Sequence, residues 1–144
     1  DTLVDLYCGV GVMALLVADK VNSVIGIESN PVAVRYATEN AKLNGITNAK
    51  FMKKDVDEYM SSATDADLVL MDPPREGASM AFINNLIKMN PRQILYISCN
   101  PLTQMRDLKQ LGQQYRVTWI QGIDLFPHTK HIESMALLTK KGSR

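Results

Sequence analysis

Cys99 stands in Ser98-Cys99-Asn100-Pro101, at the close of the apolar run Gln93–Ser98. A thiolate is a strong nucleophile, and a helix starting near Pro101 would set its positive end beside the sulfur. The competing reading is a buried structural thiol; it suits Cys8 better, because Cys99 falls where a strand ends. Glu133 opens the last apolar run, inside His128–Met135 (HTKHIESM). A carboxylate facing a nucleophile can serve as general base. His128 and His131 read as a polar loop, and they lack a convincing third ligand for a metal.

Other polar signals also sit at strand ends. Asp5–Gly11 (DLYCGVG) is a glycine turn in which Gly9 and Gly11 let the backbone pass close to a ligand. It departs from the full dinucleotide fingerprint, although Ala14 can stand for the third glycine. A tight turn without a ligand is the plain alternative. Glu28 closes the second strand, where an acidic residue can bond a ribose diol; a solvent-facing carboxylate is the alternative. Asp55 suits an adenine amino group, or equally the N-cap of a helix over Val56–Met60. Asp72-Pro73-Pro74-Arg75 makes a stiff ledge, since two prolines fix the backbone; Asp72 points a carboxylate over a pocket or simply starts a turn. Arg75 could stabilise developing negative charge or hold phosphate.

The elements that must position these residues alternate regularly. Strands are expected at Leu3–Tyr7, Val24–Glu28, Lys50–Lys53, Leu68–Met71, Gln93–Ser98, Arg116–Gln121 and Ser134–Thr139. Helices are expected at Met13–Asp19, from Pro31 to Asn44–Gly45, at Met80–Met89 and at Leu102–Leu111. This is an α/β sheet with helices on both faces, mostly parallel, with one antiparallel strand in the final helix-free pair. In such a sheet ligands gather at the carboxyl ends of the strands, and the polar signals converge there.

The 144 residues, 46% hydrophobic and 22% charged, make one globular domain. No apolar run suits a membrane span, and no secretory leader is visible. Free thiols and a cytoplasmic setting are expected. The chain opens at Asp1 directly into a strand pattern and reads as a piece of a longer protein. A net charge of +1 gives no compositional support for a nucleic-acid grip.

Taken in order, DLYCGVG, IESN, DPPR, YISCNP and FPHTKHIESM closely resemble the RNA 5-methyluridine methyltransferases of transfer and 23S ribosomal RNA. The resemblance covers nearly the whole chain. It implies a class I methyltransferase sheet, Rossmann-like, with S-adenosylmethionine as cofactor. It implies Cys99 as nucleophile at uracil carbon 6 and Glu133 as base. It also implies a cofactor wall of Asp5, Tyr7, Gly9, Gly11, Glu28, Asp55 and Asp72. Val12 departs from the polar residue the family often has there. Residues 1–141 would be the catalytic domain and 142–144 a tail. The RNA grip would lie in an N-terminal domain outside the chain, with 23S ribosomal RNA ahead of transfer RNA as substrate, and no metal. A monomer is expected. An amine or cytosine-5 methyltransferase, a non-catalytic cofactor-binding module and a nicotinamide dehydrogenase are the rivals; Asp72-Pro-Pro and the helix-free final pair speak against the last.

Overall fold

The computed structural model describes residues 1–63, 65–125 and 127–142. Phe126 of the last motif, and Ser143 and Arg144 of the expected tail, lie outside the described residues. Strands β1 (Thr2–Leu6), β2 (Ser23–Glu28), β3 (Ala49–Lys53), β4 (Leu68–Met71), β5 (Gln93–Ser98), β6 (Tyr115–Ile123) and β7 (Glu133–Lys140) form one sheet among the described residues. Its order is β3-β2-β1-β4-β5-β7-β6. The first five strands run parallel. Strand β7 slots between β5 and β6, antiparallel to both, so the expected single reversed strand is the last one.

Helices α1 (Val12–Leu16), α2 (Pro31–Leu43), α3 (Val56–Ser62), α4 (Met80–Met89) and α5 (Pro101–Leu111) fill the crossovers. Four of them start on a side-chain cap: Asn30, Asp55, Ser79 and Asn100 each accept a backbone N–H of the first turn. Helix α1 has none, because it leaves Gly11 in the left-handed region. Without a cap it holds five residues and gives way at Val17 to a 3-10 turn, Ala18–Lys20, where a single helix over Met13–Asp19 is expected from the sequence. Strand β6 outgrows its expected span because pairing with β7 runs from Tyr115↔Lys140 to Ile123↔Glu133.

Side chains of the strands divide between the two faces of the sheet, as a period of two requires, and burial alternates in β5 and β7. Val4, Leu6, Ile27, Val69, Met71, Ile94, Tyr96, Ala136 and Leu138 pack against buried residues of α3, α4 and α5 in the larger core. Leu3, Val24 and Leu70 face the other way, onto Ala14 of α1 and Ala18 of the 3-10 turn. Near α2, a Cβ on Gly11 would lie 2.9 Å from the Phe51 ring and 3.1 Å from Ala37 Cβ. The first glycine turn is therefore wedged between the sheet and α2.

Candidate functional site

Because β1, β2, β4 and β5 are parallel, their carboxyl ends share one edge of the sheet. Strand β7, being reversed, brings its amino end there, with Ser134 paired to Ser98. The loops that follow Leu6, Glu28, Met71 and Ser98, and the one before Glu133, thus open on a single side. The sequence candidates are gathered there by topology alone.

The first of these loops is built on left-handed backbone: Tyr7 (φ 64°), Gly9 (φ 54°) and Gly11 (φ 83°). Glycine takes this conformation freely and tyrosine does not, so Tyr7 is held by its surroundings. Its ring packs on Phe82 at 6.3 Å between centroids. Cys8 N–H donates to Ile27 O (3.1 Å) and Gly11 N–H to Cys8 O (2.9 Å). Glu28 clasps two loops at once: Oε2 accepts from Gly9 N–H at 3.0 Å and Oε1 from Asn30 N–H at 2.9 Å. Cys8 is buried, and burial pushes its thiol up to about 12, in keeping with a structural role. Asp55 accepts from Glu58 N–H at 3.0 Å and caps α3; of its two sequence readings, the cap is the one with a bond behind it.

Asp5 carries the clearest anomaly. It is 1% exposed, and its Oδ2 is the sole buried side-chain polar atom without a hydrogen-bond partner among the described residues. Burial, opposed by the Ala14 amide and reinforced by the charge of Asp72, raises its carboxyl from 3.8 to about 7. Asp72 is itself raised, by desolvation first and then by the charge of Glu133. Asp5 is thus linked electrostatically to Asp72, and Asp72 to Glu133, and a cation placed among them would relieve Asp5 and Asp72. Between about pH 4 and 7 the folded chain keeps a proton on Asp5 that the unfolded chain has released. Stability should fall as pH rises through that window, by up to about 1.4 kcal/mol per pH unit from this group. Denaturant melts of wild type and Asp5→Asn across the window check this; equal slopes would refute it.

Cys99 is half-buried and lies between the end of β5 and Asn100, the cap of α5. The β5–β7 ladder closes at Ser98↔Ser134, so Cys99 directly follows the last paired residue of β5 and Glu133 directly precedes its partner on β7. The turn is tied tightly: Ser98 Oγ accepts from Asn100 N–H and donates to Asn100 O, both at 3.0 Å. Arg75 joins three loops. Its carbonyl accepts from Asn100 Nδ2 (3.2 Å) and Thr103 Oγ1 (3.0 Å), and its guanidinium reaches His131 Nδ1 at 3.4 Å.

A network that sequence reasoning missed underlies this. Asp107, 2% exposed, accepts from Tyr96 Oη (2.6 Å), Ala78 N–H (2.8 Å) and the Arg106 guanidinium (2.9 Å). Arg106 also donates to the carbonyls of Glu76 and Ala78. The loop after β4 is thereby fastened to the helix that follows Cys99. The signal was present: Gln104, Asp107, Leu108 and Leu111 form one helical stripe, so two polar residues occupy core positions. Gln104 donates from there to Tyr96 O (3.0 Å) and Ser134 O (3.3 Å), pinning β5 to β7. Asp107→Ala should cost about 3 kcal/mol, because it strands buried donors. Tyr96→Phe should cost about 1 kcal/mol. Urea unfolding measures both; an Asp107→Ala variant as stable as wild type would show the network to be idle.

Comparison with known proteins places this architecture. A profile of the family described as tRNA (Uracil-5-)-methyltransferase matches residues 1–141. An uncharacterized RNA methyltransferase of Bacillus cereus is 39% identical over 97% of the chain and 32% of its own length. One from Leptospira interrogans is 41% identical over 96% of the chain and 36% of its own length. The chain thus spans about a third of the curated relatives it matches. Among solved structures, the Pyrococcus abyssi tRNA (uracil-54, C5)-methyltransferase, in complex with S-adenosyl-L-homocysteine, superposes with a TM-score of 0.83 at 34% identity. That match covers 95% of this chain and 34% of the other. The N-methyltransferase NodS of Bradyrhizobium japonicum shares the fold alone, at a TM-score of 0.80 and 15% identity over 98% of this chain and 78% of its own. The fold is that of the class I methyltransferases, and the chain belongs to the tRNA (uracil-5-)-methyltransferase family.

Proposed function

We propose that this chain is the catalytic domain of an enzyme that methylates carbon 5 of uracil in RNA, with S-adenosylmethionine as methyl donor. The observation that supports the reading is the topology that brings Cys99, just past the last paired residue of β5, and Glu133, at the start of β7, to the sheet edge that also carries Asp5 and Asp72. The residues present fit the cofactor. Asp5 offers a buried carboxylate oxygen with no partner, and the linked carboxyls suit a cationic ligand. Asp5, Tyr7, Gly9, Gly11, Glu28, Asp55 and Asp72 would hold it. Glu28 would take the ribose, its carboxylate already oriented by Gly9 and Asn30. Asp55 would reach the adenine while its other oxygen caps α3. When bound, S-adenosylmethionine supplies an electrophilic methyl group on a sulfonium.

The chain's own residues do the rest. Uracil carbon 5 is a poor nucleophile. The Cys99 thiolate adds to carbon 6, and the ring electrons move onto carbon 5 and oxygen 4 as an enolate. Carbon 5 then takes the methyl group. Glu133 removes the carbon 5 proton, the carbon 6–sulfur bond breaks, and the thiolate returns with its electron pair. One difficult step becomes several easier ones. Arg75, fixed through its own carbonyl and set beside His131, would face enolate or phosphate charge. Methylation of an amine would leave Cys99 without use, and a cofactor-binding module would need neither Cys99 nor Glu133.

The test uses the full-length protein with RNA in which uridine is replaced by 5-fluorouridine. Fluorine cannot leave as a cation, so the reaction halts at the covalent stage. An adduct to the peptide holding Cys99 is the expected result. Binding of S-adenosylmethionine with no adduct on either RNA would overturn the uracil reading. The 23S ribosomal RNA stands first as substrate and transfer RNA second; an adduct with transfer RNA alone reverses that order.

A further inference from the structure

Glu133 opens β7 with little around it to fix its place. Residues 127–132, which lead into it, are exposed, so no core holds it from that side. On one flank it pairs with Ile123 of β6, the last strand of the sheet and one exposed through most of its length. On the other flank the ladder with β5 stops at Ser98↔Ser134, one residue short of it. A general base must nevertheless stand within hydrogen-bond reach of the proton it takes. Some further contact has to set the amino end of β7 against the turn that bears Cys99.

Gln104 makes that contact. It sits one turn into α5, its N–H bonded to Asn100 O at 3.1 Å, and Asn100 directly follows Cys99. Its side chain is 1% exposed and donates from Nε2 to Tyr96 O of β5 (3.0 Å) and Ser134 O of β7 (3.3 Å). Both partners are carbonyls, so only a donor can serve, and the amide supplies two N–H groups from one nitrogen. Burying a glutamine forfeits rotamer freedom and hydration, which two ordinary hydrogen bonds largely offset rather than exceed. An apolar side chain would fill the same position, on a buried stripe shared with Leu108 and Leu111, without holding either strand. Resting on the uracil reading above, we propose that Gln104 is a positioning residue. It ties the residue next to Glu133 to the helix that starts beside Cys99, and so sets the base at working distance from the adduct. It acts through Ser134 and Glu133, and its own bonds go only to main chain.

Gln104→Met in the full-length protein tests this, because methionine keeps the length and bulk of glutamine but donates nothing. Its kcat for RNA methylation is expected to fall about 10- to 100-fold, while KM for RNA and affinity for S-adenosylmethionine stay within about twofold. Covalent protein–RNA adduct should build up on ordinary uridine, since loss of the carbon 5 proton is the step that slows. In a Glu133→Gln background the same substitution should change kcat by less than about twofold, because the group it acts through is already gone. Amide exchange across Glu133–Ala136 should quicken at least about tenfold, with Leu138–Lys140 unchanged. Unaltered exchange, unaltered turnover, turnover lost without adduct, or a fully additive loss in the Glu133→Gln background would each overturn the proposal. Gln104→Leu removes the same donors with different packing and decides the matter if the methionine variant does not fold. The exchange readout needs no methyl transfer, and wild type on 5-fluorouridine RNA reads the uracil proposal by itself, so the two failures are distinguishable.

Discussion

Full-length protein carrying Cys99→Ala is expected to lose RNA methylation by at least about 10⁴-fold in kcat/KM, because the whole covalent route is removed. Affinity for S-adenosylmethionine should stay within about twofold, since Cys99 forms no part of the proposed cofactor wall. Incorporation of a labelled methyl group reads the first quantity and calorimetric titration the second. The split between them matters. Cys99 sits in a turn fixed by Ser98 and Asn100 rather than by its own side chain, so its removal should leave the fold intact. An alanine variant with full activity would identify an amine methylation and end the uracil reading. Loss of cofactor binding along with activity would instead point to a damaged fold.

Glu133→Gln should behave differently. Attack by Cys99 and methylation of carbon 5 do not require the carboxylate, but loss of the carbon 5 proton does. The variant should therefore build up a protein–RNA adduct on ordinary uridine, visible as a band stable to denaturing electrophoresis. Turnover should fall by about 10²–10⁴-fold, the range for losing a positioned base. Glutamine keeps the size of the side chain, and removing the charge of Glu133 also lowers one influence that raises Asp72. Stability should hold or rise slightly as a result. Turnover within about twofold of wild type would remove Glu133 from the base role.

Much of this geometry can be read from residues before any coordinates. Leu68–Met71, Met80–Met89 and Gln93–Ser98 match their expected spans residue for residue. Each is an apolar run closed by a strong stop: Asp72-Pro73-Pro74, Asn90-Pro91 or Asn100-Pro101. Asn30 before Pro31 marks a helix start, and the structure gives Asn30 the capping bonds. The 3-10 turn at Ala18–Lys20 escapes such reading, because helical periodicity does not reveal a missing cap. Strand β6 escapes it too. Its residues are exposed through most of its length, so it carries little alternation, and only pairing with β7 defines its ends. The site divides in the same way. Cys99, Glu133, Asp72 and Glu28 announce themselves by standing at the ends of apolar runs. That Asp5 would be buried with an unpartnered oxygen, and that Asp107 would anchor the loop after β4, depends on packing across elements distant in sequence.

The reversed direction of β7 also sets the order of events as the chain is made. Strand β6 precedes β7 in sequence but lies outside it in the sheet, so β6 has no ladder partner until β7 emerges and inserts. A domain appearing from the ribosome amino end first would complete β1 to β5, and with them the turn bearing Cys99, before Glu133 has a place to go. The proposed nucleophile is thus shaped early, and its proposed partner arrives only with the closing segment. A nascent chain halted short of β7 would hold the thiol without the carboxylate opposite it. Synthesis of the final strand is then the step that turns a folded sheet into a paired site.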